Sequence, residues 1–138
     1  MTADDLMQKA WRATESAQLL LKSGDTDGAC NRAYYAIFDA ARATLLALHP
    51  EIETRSIKSH SGLISAFSLH VVKPGLIAVD HGRAFNRVHD IRLLADYTDE
   101  PIPAETVRGA IEQAIEFVGA AEELMRRSPS AAPDRKST

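Results

Sequence analysis

The sequence predicts an all-α protein, an up-and-down bundle of five helices of which four are long and one is short. Three observations carry that expectation. Long segments place apolar residues at helical spacing. Gly, Pro and short polar runs fall between those segments. The stretch most like a strand, Leu69 to Val72, is too short to need a sheet.

The first helix is expected from about Ala3 to Lys22. Thr2 can cap it, Asp4 and Asp5 suit the positive end of its dipole, and Leu6, Ala10, Ala13, Ala17, Leu20 and Leu21 keep to one face. Gly24 is placed as a stop, and the short turn Ser23-Gly24-Asp25 sends the next helix back antiparallel. That second helix, capped by Asp25 or Thr26 and ending near His49-Pro50, is expected to be the centre of the bundle. Its run NRAYYAIFDAARATLL combines alanines, which let neighbours come close, with Tyr34, Tyr35 and Phe38. Tyr34, Ile37, Phe38, Ala41, Leu45 and Leu48 make an apolar stripe, and Arg32, Tyr35, Asp39 and Arg42 a polar one.

Residues 51–58 are polar and without period, and are expected to form a surface loop. A third, short helix follows from about Ser61 to Val71, with Leu63, Ile64, Phe67 and Leu69 turned inward, and Lys73-Pro74-Gly75 breaks it. The fourth runs from near Leu76 to about Tyr97, packing through Ala84, Val88, Ile91 and Ala95 with Phe85 and Leu94 at the flanks. Gly82 inside it marks a break or a close approach of another helix. Pro103 suits the first position of the fifth helix, whose face is Val107, Ile111, Ala114, Val118, Ala121 and Met125. One helical domain is thus expected over residues 1–127. The tail 128–138 has no large apolar residue and is expected to be disordered.

The bulk numbers narrow the function. Of the 138 residues, 45% are hydrophobic and 25% charged, as in ordinary globular chains. A net charge of −3 excludes a general polycation, so any nucleic-acid binding needs a local patch or a dimer cleft. The lone Cys30 excludes an intrachain disulfide and a multi-Cys zinc site, and fits a cytoplasmic location. The opening MTADDLMQKAW carries early acids and no long apolar run, so neither a signal peptide nor a membrane span is expected. No Gly-rich phosphate loop, HExxH or nucleophile elbow occurs, and His81 and His89 are spaced poorly for zinc. No metal or cofactor is expected.

The candidate chemistry lies in His89-Asp90-Ile91-Arg92-Leu93-Leu94-Ala95-Asp96-Tyr97. As a helix this run puts Phe85, His89, Arg92 and Asp96 on one stripe. Arg92 and Asp96 can form a surface ion pair, which spacing alone favours because such pairs are common. Alternatively they belong to a polar cluster in which Arg92 holds phosphate. Arg83 and Arg87 make the same helix locally basic, a solvated face or an RNA-backbone patch. Lys58 and His60 stand just before the third helix.

Three blocks in order then resemble the HEPN domain family: AQLLLKSGDTDGACNRAYYAIFDAARATLLA (Ala17 to Ala47), HSGLISAF (His60 to Phe67) and RLLADY (Arg92 to Tyr97). The resemblance covers about residues 3 to 125. It implies an all-α bundle that forms a homodimer. It also implies frequent pairing with a minimal nucleotidyltransferase antitoxin, and in many members a metal-independent ribonuclease site at the dimer cleft. The family's site carries an Arg-x(4–6)-His motif, with His as acid/base and Arg on phosphate. Here Arg92 matches the Arg, but no His follows it, and Asp96 and Tyr97 stand in that region. Arg83 and His89 satisfy the spacing out of register.

The resemblance therefore points to a branch with Arg-x-x-Ala-Asp-Tyr. Arg92, Asp96 and Tyr97 are its candidate catalytic residues, and Arg83, Arg87, His89, Lys58 and His60 its candidate RNA- or nucleotide-binding residues. The missing His favours a homodimeric RNA- or nucleotide-binding component of a toxin–antitoxin-type system. The alternative is an active ribonuclease toxin. In related pairs a Tyr near the motif receives AMP from the partner, and Tyr97 does not stand at that position. If Phe38 lies in the core, Phe38→Ala should cost about 3–5 kcal/mol in chemical denaturation.

Overall fold

The computed structural model describes residues 1–52, 54, 57 and 59–128. The described residues form helices and connecting turns, with no strand among them. Helix α1 spans Ala3–Lys22 and α2 spans Thr26–Leu48. The Thr2 hydroxyl accepts from the Asp5 N–H and the Asp5 carboxylate accepts from the Thr2 N–H, each at 3.0 Å, closing a capping box. Gly24 takes φ 93°, a backbone that favours glycine, and turns the chain back. The Asp25 carboxylate then caps α2 by accepting from the Gly28 N–H at 2.8 Å.

Helix α2 is the axis of the molecule and packs against α1 and α5 along most of its length. Ala29, Ala33, Ala36, Ala40, Ala41 and Ala43 are all fully buried, as are Ala10 and Ala17 of α1. With only methyl groups between them, the two backbones lie close, and burial of those faces drives the pairing.

Helix α3 spans His60–Phe67, capped by the Ser59 hydroxyl, and runs without a break into a π-helical turn, Ser68–Val72. Leu63, Phe67 and Val71 face inward at every fourth residue. Leu69, expected inside, stands two positions from both Phe67 and Val71, on the far side of the helix, and is 55% exposed. The rings of His49 and His70, 5.1 Å apart, join the end of α2 to this turn.

Helix α4 spans Val79–Tyr97 and starts later than expected. Gly75 reverses the chain with φ 83°, and Ala78 is still extended as the N-cap. Ala84, Phe85 and Val88 are buried, so Phe85 lies at the centre of its packing face rather than at the flank. Leu94 is 62% exposed because it stands nine positions from Phe85, on the opposite side of the helix, while Ile91 and Ala95 of the same turns pack on the core. Gly82 is a close approach and not a break, since a Cβ there would stand 3.1 Å from Cγ2 of Val72.

Helix α5 spans Ala104–Arg127, with Pro103 just outside it as the N-cap. The Ile102 N–H donates to the Asp27 carboxylate at 2.9 Å, tying the α4–α5 connection to the start of α2. No helix among the described residues is long and apolar enough to cross a membrane. Lys58 and residues 129–138, where the tail was expected to be disordered, lie outside the described residues.

Phe67, Phe85 and Phe117 meet in the core with ring centroids 5.2 to 6.0 Å apart, and all three are fully buried. Phe38 is only half-buried, packed against Tyr34, Tyr35 and His60, so it does not carry the full cost expected of a core truncation. Phe117→Ala should destabilise by about 3–5 kcal/mol in urea denaturation, and Phe38→Ala by less. Equal losses at the two positions would contradict this placement of the core.

Candidate functional site

The site forms where α2, α3 and α4 meet, on the ring of Tyr34. This side chain is fully buried among apolar neighbours, and its hydroxyl reaches Nδ1 of His60 at 2.8 Å. A buried tyrosine needs such a partner. The capping turn at Ser59 delivers His60 as the first residue of α3, next to the middle of α2. Burial pushes the Tyr34 pKa well above its ordinary value, so the group stays a phenol and can donate to His60.

Two residues of α4, one turn apart, pack on the same ring. The centroid of His89 lies 5.2 Å from that of Tyr34, and the Arg92 guanidinium carbon stands 5.1 Å above the Tyr34 ring and 5.4 Å above that of Tyr35. Arg92 Nε donates to the Asn31 side-chain oxygen at 2.9 Å. The guanidinium is thus fixed by one hydrogen bond and two aromatic faces. No carboxylate pairs with it among the described residues. The imidazoles of His60 and His89 are 5.8 Å apart. Nδ1 of His89 is buried with no hydrogen-bond partner among the described residues. Burial lowers the pKa of both, and the Arg92 charge lowers it further. His89 also depresses His60, while Asp90 partly offsets the effect on His89. Both rings are therefore held neutral beside a permanent cation.

The structure separates the sequence-predicted residues. Arg92, His60 and His89 come together. Asp96 and Tyr97 do not join them within the chain: both are exposed on the last turn of α4, Tyr97 by 83%, and neither is bonded to Arg92. The expected Arg92–Asp96 ion pair does not form, because Asn31 and the aromatic faces hold the guanidinium. Arg83 is exposed and pairs with Asp80 at 3.5 Å, and Arg87 donates to Gln113 of α5 at 3.2 Å. The Arg83–His89 pair is therefore divided between solvent and the Tyr34 ring. The polar stripe of α2 divides as well. Tyr35 reaches Arg92, whereas Asp39 is buried, its pKa raised by desolvation against the opposing charges of Lys9, Arg42 and Arg32.

Sequence reasoning missed Asn31 and assigned Tyr34 to the core alone. The hydroxyl of a tyrosine in an otherwise apolar stripe was the available signal. Among the described residues no group of three or more His, Cys, Asp or Glu is placed to hold a metal.

A compact helical bundle with a cation and two imidazoles on one buried tyrosine is the architecture of a small all-α module with a polar site at a helix junction. The comparisons place it. The model of the HEPN domain matches residues 3–127, and the chain belongs to that family. It is 34% identical over 119 residues to a UPF0332 protein of Thermotoga maritima, covering 86% of each chain. It is 38% identical over 93 residues to UPF0332 protein glr0978 of Gloeobacter violaceus, covering 67% of this chain and 70% of the relative. It is also 34% identical over 115 residues to "Putative toxin MJ0605" of Methanocaldococcus jannaschii, covering 82% of this chain and 81% of the relative.

The electrostatics give a titration test. In NMR spectra His60 and His89 should both titrate below about 6.5, the ordinary imidazole value. In Arg92→Gln both should move up but stay below it, because burial, the larger cause, persists. Folding of the wild type should weaken as pH falls below about 6.5, where the unfolded chain binds protons that the folded rings refuse. Unchanged imidazole titration in Arg92→Gln would contradict the assigned coupling.

Proposed function

We propose that this chain is a toxin-type HEPN protein that acts as a homodimer and holds an RNA or nucleotide phosphate at Arg92, alongside a minimal nucleotidyltransferase antitoxin. The observation that carries the phosphate reading is the state of Arg92. Its guanidinium is fixed by Asn31 and two tyrosine rings, and among the described residues no acid pairs with it. A fixed, uncompensated guanidinium suits a planar or tetrahedral oxyanion. With a net charge of −3, anion binding needs a local cation of this kind. The toxin setting is supported by the name of the Methanocaldococcus relative, and the dimer and the nucleotidyltransferase by the family resemblance.

A second reading, metal-independent RNA cleavage, is favoured by one observation: His60 and His89 sit beside Arg92 although no His follows it in sequence. In that reaction a 2′-hydroxyl attacks the adjacent phosphorus and the P–O5′ bond breaks. One imidazole accepts the 2′-hydroxyl proton, and a protonated one supplies the proton to the leaving oxygen. Asp96 and Tyr97, exposed on α4, stay candidates only for contacts across a dimer.

The two readings separate in one set of assays. The wild type should bind a short 2′-O-methyl oligoribonucleotide, which cannot undergo 2′-attack, and Arg92→Ala should bind it at least about tenfold more weakly, the loss of one charge-assisted contact. Cleavage of ordinary RNA by the wild type and not by Arg92→Ala establishes the enzyme. Equal RNA binding by wild type and Arg92→Ala would sink the phosphate reading.

A further inference from the structure

We propose that His60 and His89 complete the Arg92 site as phosphate-contacting residues that take up a proton when the anion binds. The site then selects a dianionic phosphomonoester, such as the terminal phosphate of an RNA fragment, over a backbone diester. This rests on the phosphate reading above and goes further by naming the charge state of the ligand.

Arg92, His60 and His89 all pack on Tyr34, at 5.1, 5.3 and 5.2 Å. The two imidazoles are themselves 5.8 Å apart and both feel the Arg92 charge, so the three groups form one cluster for an anion. Among the described residues, the charged and titratable groups facing them are Tyr34 and Tyr35 from α2 and Asp90 and Arg92 from α4, with His60 itself from α3. Before binding, the Arg92 cation acts on both rings and repels a proton from each.

A phosphodiester carries one negative charge and cancels Arg92. A proton added to an imidazole would then leave a net positive site. A phosphomonoester carries up to two negative charges near neutrality. Arg92 cancels one, and the remaining charge is met when an imidazole is protonated. Proton uptake and dianion selection are in this way one property of the cluster.

The bonding of the two rings supports the assignment. Tyr34 donates to Nδ1 of neutral His60 and can accept from the same nitrogen once it is protonated, so His60 changes charge without losing its partner. His89 holds a buried Nδ1 with no hydrogen-bond partner among the described residues, an unused bonding group one turn from Arg92 on the same helix.

The test uses the full chain and isothermal titration calorimetry near pH 7 in two buffers of different ionisation enthalpy. The probes are one 2′-O-methyl oligoribonucleotide bearing a 5′-phosphate, the same oligomer bearing a 3′-phosphate, and the same oligomer with neither. Expected is about tenfold tighter binding of at least one phosphorylated oligomer, corresponding to about one pKa unit of coupling, with net proton uptake. The arm that gains affinity identifies the end that is read. Both the preference and the uptake should disappear in His60→Gln/His89→Gln. Each single variant, checked by circular dichroism, guards against a double variant that fails to fold. Equal binding of all three oligomers, still weakened by Arg92→Ala, would overturn dianion selection and leave the backbone reading intact. Preference without proton uptake would likewise overturn the role of the imidazoles. No Arg92-dependent binding of any oligomer would overturn both readings together.

Discussion

The site depends on one buried hydroxyl. Tyr34 sits at the middle of α2 with its ring in the core, and the Tyr34–His60 hydrogen bond spans 2.8 Å between α2 and the start of α3. The same ring is the floor on which α4 lays His89 and Arg92. Three elements distant in sequence are thereby held to one side chain. A buried phenol without a partner would be costly, about 1–3 kcal/mol, so the need to satisfy that oxygen fixes His60 as firmly as apolar packing fixes the ring. The polar site is built from the core outward and is not added to its surface.

The alanine-rich faces explain how this is possible. With methyl groups along α1 and α2, the two helices pair tightly and leave the opposite side of α2 for larger side chains. Phe67, Phe85 and Phe117 fill the space under α3, α4 and α5. Gly82 lets the π turn approach α4, and so brings the strand-like run at Leu69–Val72 into a helical role. Tyr34 lies between this aromatic cluster and solvent, which is why its pKa is raised while its edge still meets polar groups.

Much of this was legible in the residues. Thr2, Gly24, Asp25 and the Pro–Gly punctuation marked the helix ends, because capping and left-handed turns depend on local chemistry. The π turn was not legible. Nothing in the apolar pattern marks it, and Leu69, two positions from Phe67 and so on the opposite side of the helix, is exposed. Leu94, expected at a flank of the core, stands on the side of α4 opposite Phe85 and is exposed. In the site, Arg92 and His60 stood out by type and by resemblance. Asn31 did not, since its role is a contact across sixty-one positions to Arg92. Asp96 shared a helical stripe with Arg92, yet a stripe is only a necessary condition for contact, and Asn31 with the tyrosine rings won the guanidinium. His89 shares that stripe with Arg92, and there the contact is made, both side chains packing on Tyr34.

The central claim is that Tyr34 orients His60 by donating to Nδ1. Nitrogen-15 NMR of the His60 imidazole tests it most directly, since it reports which ring nitrogen carries the proton. The account predicts that neutral His60 in the wild type holds its proton on Nε2. In Tyr34→Phe, which keeps the ring but removes the hydroxyl, a mixture of tautomers should appear. A wild-type ring protonated on Nδ1, or a tautomer unchanged by Tyr34→Phe, would contradict it.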